Sequence, residues 1–173
     1  NNGRGLDNSG GTVEINNCDI SGNSTDYDGG GIRNSGILTI NDSTVSYNQA
    51  DHGGGIANGG TMTMNDCTIN GNSADDGGGI TCSDNSTLTI NNSSITDNSA
   101  GFFGGGGIYC YNTNLTIDTS TILNNSGFYG GGLWLCDTLA MINNCTISEN
   151  ESEQDGGGIL NDNSYYDDGM LTI

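Results

Sequence analysis

Acidic side chains sit immediately ahead of runs of glycine at three places. Asp26 and Asp28 precede Gly29–Gly31, Asp51 precedes Gly53–Gly55, and Asp75 and Asp76 precede Gly77–Gly79. Carboxylates repeated at one corner of a stacked structure would lie about 5 Å apart, a like-charge ladder that costs energy unless a cation relieves it. Calcium favours such carboxylate and backbone oxygens, so these five residues are candidate calcium ligands. The competing reading is a solvated acidic corner, since neither the Asp-x-Asp-x-Asp-Gly loop nor the Gly-Gly-x-Gly-x-Asp nonapeptide is present.

Further along, aromatics replace the acids. Phe102 and Phe103, then Phe128 and Tyr129, precede the next two glycine runs, with Tyr109, Tyr111 and Trp134 just beyond the same glycines. Sugar rings stack on exposed aromatics, and protein contacts are rich in Tyr, Trp and Phe. A glycan site, a protein interface and a local mini-core are the three readings open to these seven residues.

The spacing of these residues follows from a repeat. A Gly-Gly-Gly-Ile or Gly-Gly-Gly-Leu tetrad recurs with starts at 29, 53, 77, 105, 130 and 156, so units run 24–28 residues. A period in this range marks a solenoid. Between tetrads lies a second block, as in "LTINDSTVSYN" and "MTMNDCTINGN", whose first half alternates apolar and polar residues, the pattern of a strand with one buried face. The inward column is Val13/Ile15, Leu38/Ile40, Met62/Met64, Leu88/Ile90, Leu115/Ile117, Ala140/Ile142 and Leu171/Ile173. An aliphatic then recurs at Ile20, Val45, Ile69, Ile95, Ile122 and Ile147, and three residues later comes Asn23, Asn48, Asn72, Asn98, Asn125 or Asn150. A corner that turns from one strand to the next needs partners for its backbone groups, and stacked Asn amides supply them. The fold expected is all-β: a right-handed parallel β-helix of about six to seven coils, one domain over 1–173, with no helical domain. Leucine-rich repeats share part of the pattern but need an apolar convex segment where this chain has glycines.

The six cysteines fall into sets. Cys18, Cys67 and Cys145 occupy a small inward slot, two to three coils apart (about 10–14 Å), too far for the ~7 Å Cα limit of a disulfide. They are expected as buried free thiols. Cys82 and Cys110 follow the tetrad Ile by two residues on neighbouring coils and form the candidate disulfide; the partner of Cys136 stays open. With one histidine and no C-x-x-C pair, zinc is not expected. Outward Thr columns match those of ice-binding solenoids only in part, being broken by Asp118, Leu123 and Met141.

Once both blocks are placed, the chain resembles the repeat region of chlamydial-type polymorphic outer-membrane proteins and related bacterial and archaeal surface proteins. Those alternate a Gly-Gly-Ala-Ile-type tetrad with Phe-x-x-Asn. Here Gly53–Ile56 and Ile69 to Asn72 carry the likeness, with Gly for Ala and Ile or Val for Phe. The resemblance implies a secreted β-helical passenger or stalk with adhesive or structural duties and no catalytic residues. It carries over no autotransport, because the sequence lacks a C-terminal barrel.

Charge narrows the partners. Two arginines, Arg4 and Arg33, face 21 acids, and the formal charge of −19 opposes nucleic acid and anionic membranes. No apolar run reaches the ~18 residues of a membrane span. The cysteines and the Asn-rich, lysine-free composition lean towards an oxidising, extracellular or cell-surface setting. Asn41 and Asn91, in Asn-x-Ser sequons on outward positions, are candidate glycosylation sites. His52 stands alone and both arginines are separated from any obvious acid cluster, which argues against an acid–base enzyme acting on acidic polysaccharide. Both ends fall in mid-pattern, which suggests continuation in a longer chain or end-to-end self-association. The reading is a non-catalytic extracellular stalk, adhesin or filament subunit. A carbohydrate-binding module built on the aromatics is the alternative, and a polysaccharide-degrading enzyme the next.

Overall fold

A computed structural model describes residues 3–83, 85–102, 104–163 and 169–173. All 24 assigned elements are strands, and within each sheet neighbouring strands belong to successive coils. Every strand pair is parallel and in register, for example Leu38↔Met62 and Ile90↔Ile117. Each coil passes through the same stations. The first sheet has seven strands beginning just after the glycines, such as Ile32–Asn34, Ile56–Asn58, Ile80–Cys82, Ile108–Tyr111 and Leu133–Cys136. The second, also seven-stranded, holds the alternating segments such as Ile37–Asn41 and Thr61–Asn65. A six-stranded third sheet and a four-stranded short one close the coil. Among the described residues no helix is long and apolar enough to cross a membrane.

The core follows from the period-2 pattern. Leu38, Ile40, Met62, Met64, Leu88 and Ile90 are all at most 1 % exposed, and Ile56, Ile80 and Ile108 from the tetrads join them in one column-built core. At the two ends neighbours are missing: Val13 and Leu171 are only half-buried, and Ile173 is exposed.

Corners are made by residue types suited to them. Asn17, Asp42, Asp66, Asn92, Thr119 and Asn144 turn the chain from the second sheet to the third at φ of 47–54°. Asn and Asp tolerate this left-handed region better than other side chains. Within the tetrad, Gly53 also has positive φ, while Gly54 serves a different end. A Cβ on Gly54 would run into the Ser73 carbonyl and come within 2.6 Å of the Gly78 carbonyl oxygen on the next coil. The tetrad is therefore both a turn and a close contact between coils.

The Asn column is a continuous ladder. Asn48 Nδ2 donates to Asn72 Oδ1 (3.1 Å) and to the Ile20 carbonyl (2.9 Å), and its Oδ1 accepts from Asn23 N and Nδ2 (2.9 and 3.0 Å). The same bonding repeats from Asn72 through Asn98 and Asn125 to Asn150. Every amide hydrogen of an inner rung is thereby used, as burial demands. Asn8, Asn34 and Asn58 form a second buried ladder beneath the first sheet, linked at 2.8 Å, which the sequence reading did not single out.

Candidate functional site

The outward residues of the first sheet build a groove of about 500 Å³. Register sets its floor as one column, Arg33, Ala57, Thr81 and Tyr109 on successive rungs, with Trp134 next in the same column beyond the groove. Ala57 has little side chain to raise the floor, so a hollow opens between Arg33 at one end and Tyr109 and Tyr111 at the other. One wall is the residue immediately before each tetrad, Asp28, His52 and Asp76, paired rung to rung. The opposite wall is Ser35, Gly59 and Ser83.

This arrangement changes several readings from the sequence. His52 is not an isolated surface residue: its Nδ1 lies 2.9 Å from Asp76 Oδ2. Arg33 is not remote from the acids: it shares the groove with Asp28 and Asp76, and its guanidinium contacts Asp7 at 3.3 Å. Arg4 donates through Nε to the Asp28 carbonyl (2.7 Å), bracing that corner. Burial raises the Asp76 carboxyl above its ordinary value, His52 opposes that rise by charge and hydrogen bond, and Asp75 adds to it. Asp76 Oδ1 is buried with no hydrogen-bond partner among the described residues.

The acids do not form one ladder. The backbone puts Tyr27, Asp51 and Asp75 in one column, where Asp51 N donates to Tyr27 O and Asp75 N to Asp51 O, both at 3.0 Å. Asp28 and Asp76 fall in the next column with His52 between them. Asp26 is exposed, and among the described residues no group of three or more His, Cys, Asp or Glu is gathered as a metal-ligand set.

The aromatics do assemble. Tyr109 and Trp134 have ring centroids 4.9 Å apart at an interplanar angle of 37°, Trp134 and Tyr129 are 5.2 Å apart, and Phe128 meets Tyr129 edge-on at 4.8 Å. They form a shelf that prolongs the groove floor by one rung, with Tyr111 on the groove wall. Phe102 stands apart, 72 % exposed, and Phe103 lies outside the described residues.

The cysteines are all free thiols. Cys82 and Cys110 are in-register neighbours, but they are not bridged. Hydrogen bonding to Cys110 and burial push the Cys82 thiol well above its ordinary value. Burial pushes the Cys136 thiol up to about 11, and the nearby Asp162 and Asp137 carboxylates add to the rise. Cys67 is buried as expected of an inward slot and Cys145 half-buried, whereas Cys18 is exposed because it is the first rung of its column. Asn41 and Asn91 turn out to belong to a third ladder. Asn41 Nδ2 donates to Asn16 Oδ1 (2.8 Å) and Asn91 Nδ2 to Asn65 Oδ1 (2.9 Å), so the nitrogens a glycan would need are engaged.

A family model described as the right handed beta helix region matches residues 1–112. The chain belongs to the right-handed β-helix family. No curated protein and no solved structure matches it. Residues 1–112 of this β-helix contain the acid–histidine wall and the Arg33 to Tyr111 span, while Tyr129 and Trp134 of the shelf lie beyond the matched region.

Proposed function

We propose that this β-helix is a non-catalytic, extracellular adhesive protein that binds glycans along the outer face of its first sheet. The observation that carries the reading is the continuity of the groove with the Tyr109–Trp134–Tyr129 shelf. A sugar presents one apolar face, suited to aromatic rings, and a rim of hydroxyls, suited to Ser, Thr, His and carboxylate groups. Successive rungs repeat at about 4.8 Å, close to the length of one sugar ring, so a linear saccharide along the axis would meet a similar set of groups at each rung. The narrower resemblance to polymorphic outer-membrane passengers supports a surface location, as does the acidic, lysine-free composition. A glycan screen of the wild type against a Tyr109→Ala/Tyr129→Ala/Trp134→Ala variant tests this. Specific retention of the wild type and loss in the variant at unchanged melting temperature is the expected outcome, and equal retention would overturn the reading.

The His52–Asp76 contact favours a second reading, hydrolysis of a bound saccharide. Asp28 and Asp76 lie two rungs apart, about 10 Å along the axis, just beyond the ~6.5–9.5 Å separation of carboxyl pairs in inverting glycosidases. Release of reducing ends from a bound oligosaccharide, lost in Asp76→Asn, would establish it in place of simple binding.

A further inference from the structure

We infer that the saccharide taken by this groove carries amino groups, as in a de-N-acetylated hexosamine chain. The inference rests on the glycan-binding reading above and adds the chemical class of the ligand. Three observations on different length scales point the same way.

At the longest range, a chain of net charge −19 draws in cations and repels polyanions, so uronic-acid polymers approach against the field. At the groove itself, Asp28 and Asp76 line one wall, while Asp51 and Asp75 occupy the adjoining column. The guanidinium that shares the groove, Arg33, is already spent on Asp7, and Arg4 is held by Asp7 and the Asp28 carbonyl. Five carboxylates (Asp7, Asp28, Asp51, Asp75, Asp76) thus stand against two guanidiniums and one imidazole, so that even with His52 counted as a full positive charge an excess of 5 − 3 = 2 negative charges surrounds the hollow. At contact range, the shelf offers indole and phenol faces, which attract ammonium groups within about 6 Å of the ring centre as well as stacking on a sugar face. A neutral sugar uses the shelf and leaves the acidic wall without a charged counterpart. An amino sugar uses both, and the small residues Ala57 and Gly59 leave the room for it beside Asp28 and Asp76.

The test is a set of titrations at pH 6, where a sugar amine is protonated. It compares a glucosamine hexamer, its fully N-acetylated counterpart, an oligogalacturonate of equal length and an oligolysine of equal charge. The expected result is that the glucosamine hexamer binds roughly tenfold or more tightly than the N-acetylated one at about 50 mM NaCl, and that the advantage shrinks at about 0.5 M. In Asp28→Asn/Asp76→Asn the two hexamers should bind alike while both still depend on Trp134. Equal affinity of the two hexamers in the wild type would overturn the amine inference and leave the glycan-binding reading intact. Binding of either hexamer that ignores Trp134→Ala would overturn the glycan-binding reading as well. Oligolysine binding as tight as the glucosamine hexamer would show that the groove reads charge alone, and would also sink the inference. If the double variant is poorly folded, Asp28→Asn alone serves, since Asp28 is bridged through its backbone and its side chain holds no ladder.

Discussion

Asn98→Ala should be among the most damaging polar substitutions in this protein. The side chain is 1 % exposed and makes four hydrogen bonds. Its Nδ2 donates to the Ile69 carbonyl and to Asn125 Oδ1, and its Oδ1 accepts from Asn72 N and Asn72 Nδ2, each at 3.0 Å. Alanine leaves two donors of Asn72 facing a dry corner, while Asn125 Oδ1 keeps the Asn98 backbone N–H. Each stranded buried donor costs about 1–3 kcal/mol, so the loss is about 4 kcal/mol in total. Asn23→Ala is the contrast: that half-buried side chain donates to Asn48 Oδ1 and the Ser21 carbonyl, and water can replace it. Its cost is about 1 kcal/mol. Thr89→Ala, outward on the same coil as Asn98, controls for position and should shift stability by no more than about 0.5 kcal/mol. Urea unfolding with an unchanged m-value is the assay. If Asn98→Ala costs no more than Thr89→Ala, the ladder is not what holds the corner.

Glycine positions divide sharply. Gly54→Ala should cost about 3 kcal/mol or more, because its Cβ would strike backbone that cannot rotate away, whereas Gly59→Ala, whose Cβ meets only Asn34 O at 3.8 Å, should be nearly neutral in a melting experiment. Under denaturing, non-reducing conditions a thiol reagent should titrate all six cysteines, and in the native state Cys18 should react first while Cys67, Cys82, Cys110 and Cys136 wait for unfolding. A shortfall under denaturing conditions would mean a disulfide. The raised carboxyl of Asp76 makes the folded state bind a proton more tightly than the unfolded chain, so its contribution to stability is present below 3.8 and is lost as pH rises through the higher folded value. Asp76→Asn should flatten the stability profile in that window, and an unchanged slope would assign the titration elsewhere.

The scaffold was open to inspection because it repeats. Alternation at Leu38 and Ile40, and at their counterparts on each coil, specifies a strand and its buried face, and the invariant Asn three residues after an aliphatic specifies a corner. The groove was harder to see, since it depends on a side-by-side register that variable loops disguise. Asp28, His52 and Asp76 share one feature, the place directly before the first glycine of a tetrad, and counting back from the glycines rather than along the acids would have put the histidine between the two carboxylates. The Asn8–Asn34–Asn58 ladder had its own signal, an Asn two residues after the tetrad aliphatic. The same slot holds Cys82 and Cys110, so one column changes from amide to thiol without changing its path. Sequence spacing gave the right neighbours for those thiols, which stand in register and hydrogen-bonded but unbridged. The left-handed corners at Asp42, Asp66 and Asn92 are not legible in the sequence, because a backbone angle leaves only a faint compositional mark.

Trp134 is the single tryptophan of the chain and sits on the shelf that prolongs the groove, so its fluorescence reports on the proposed site without a label. Titration with a glucosamine hexamer should shift or quench its emission saturably. Gly59→Leu, which fills the groove from its exposed wall, should abolish that change while leaving the melting temperature where it was. A saturable signal that survives Gly59→Leu, or none from any glycan retained by the wild type, would contradict the assignment of this face as the binding site.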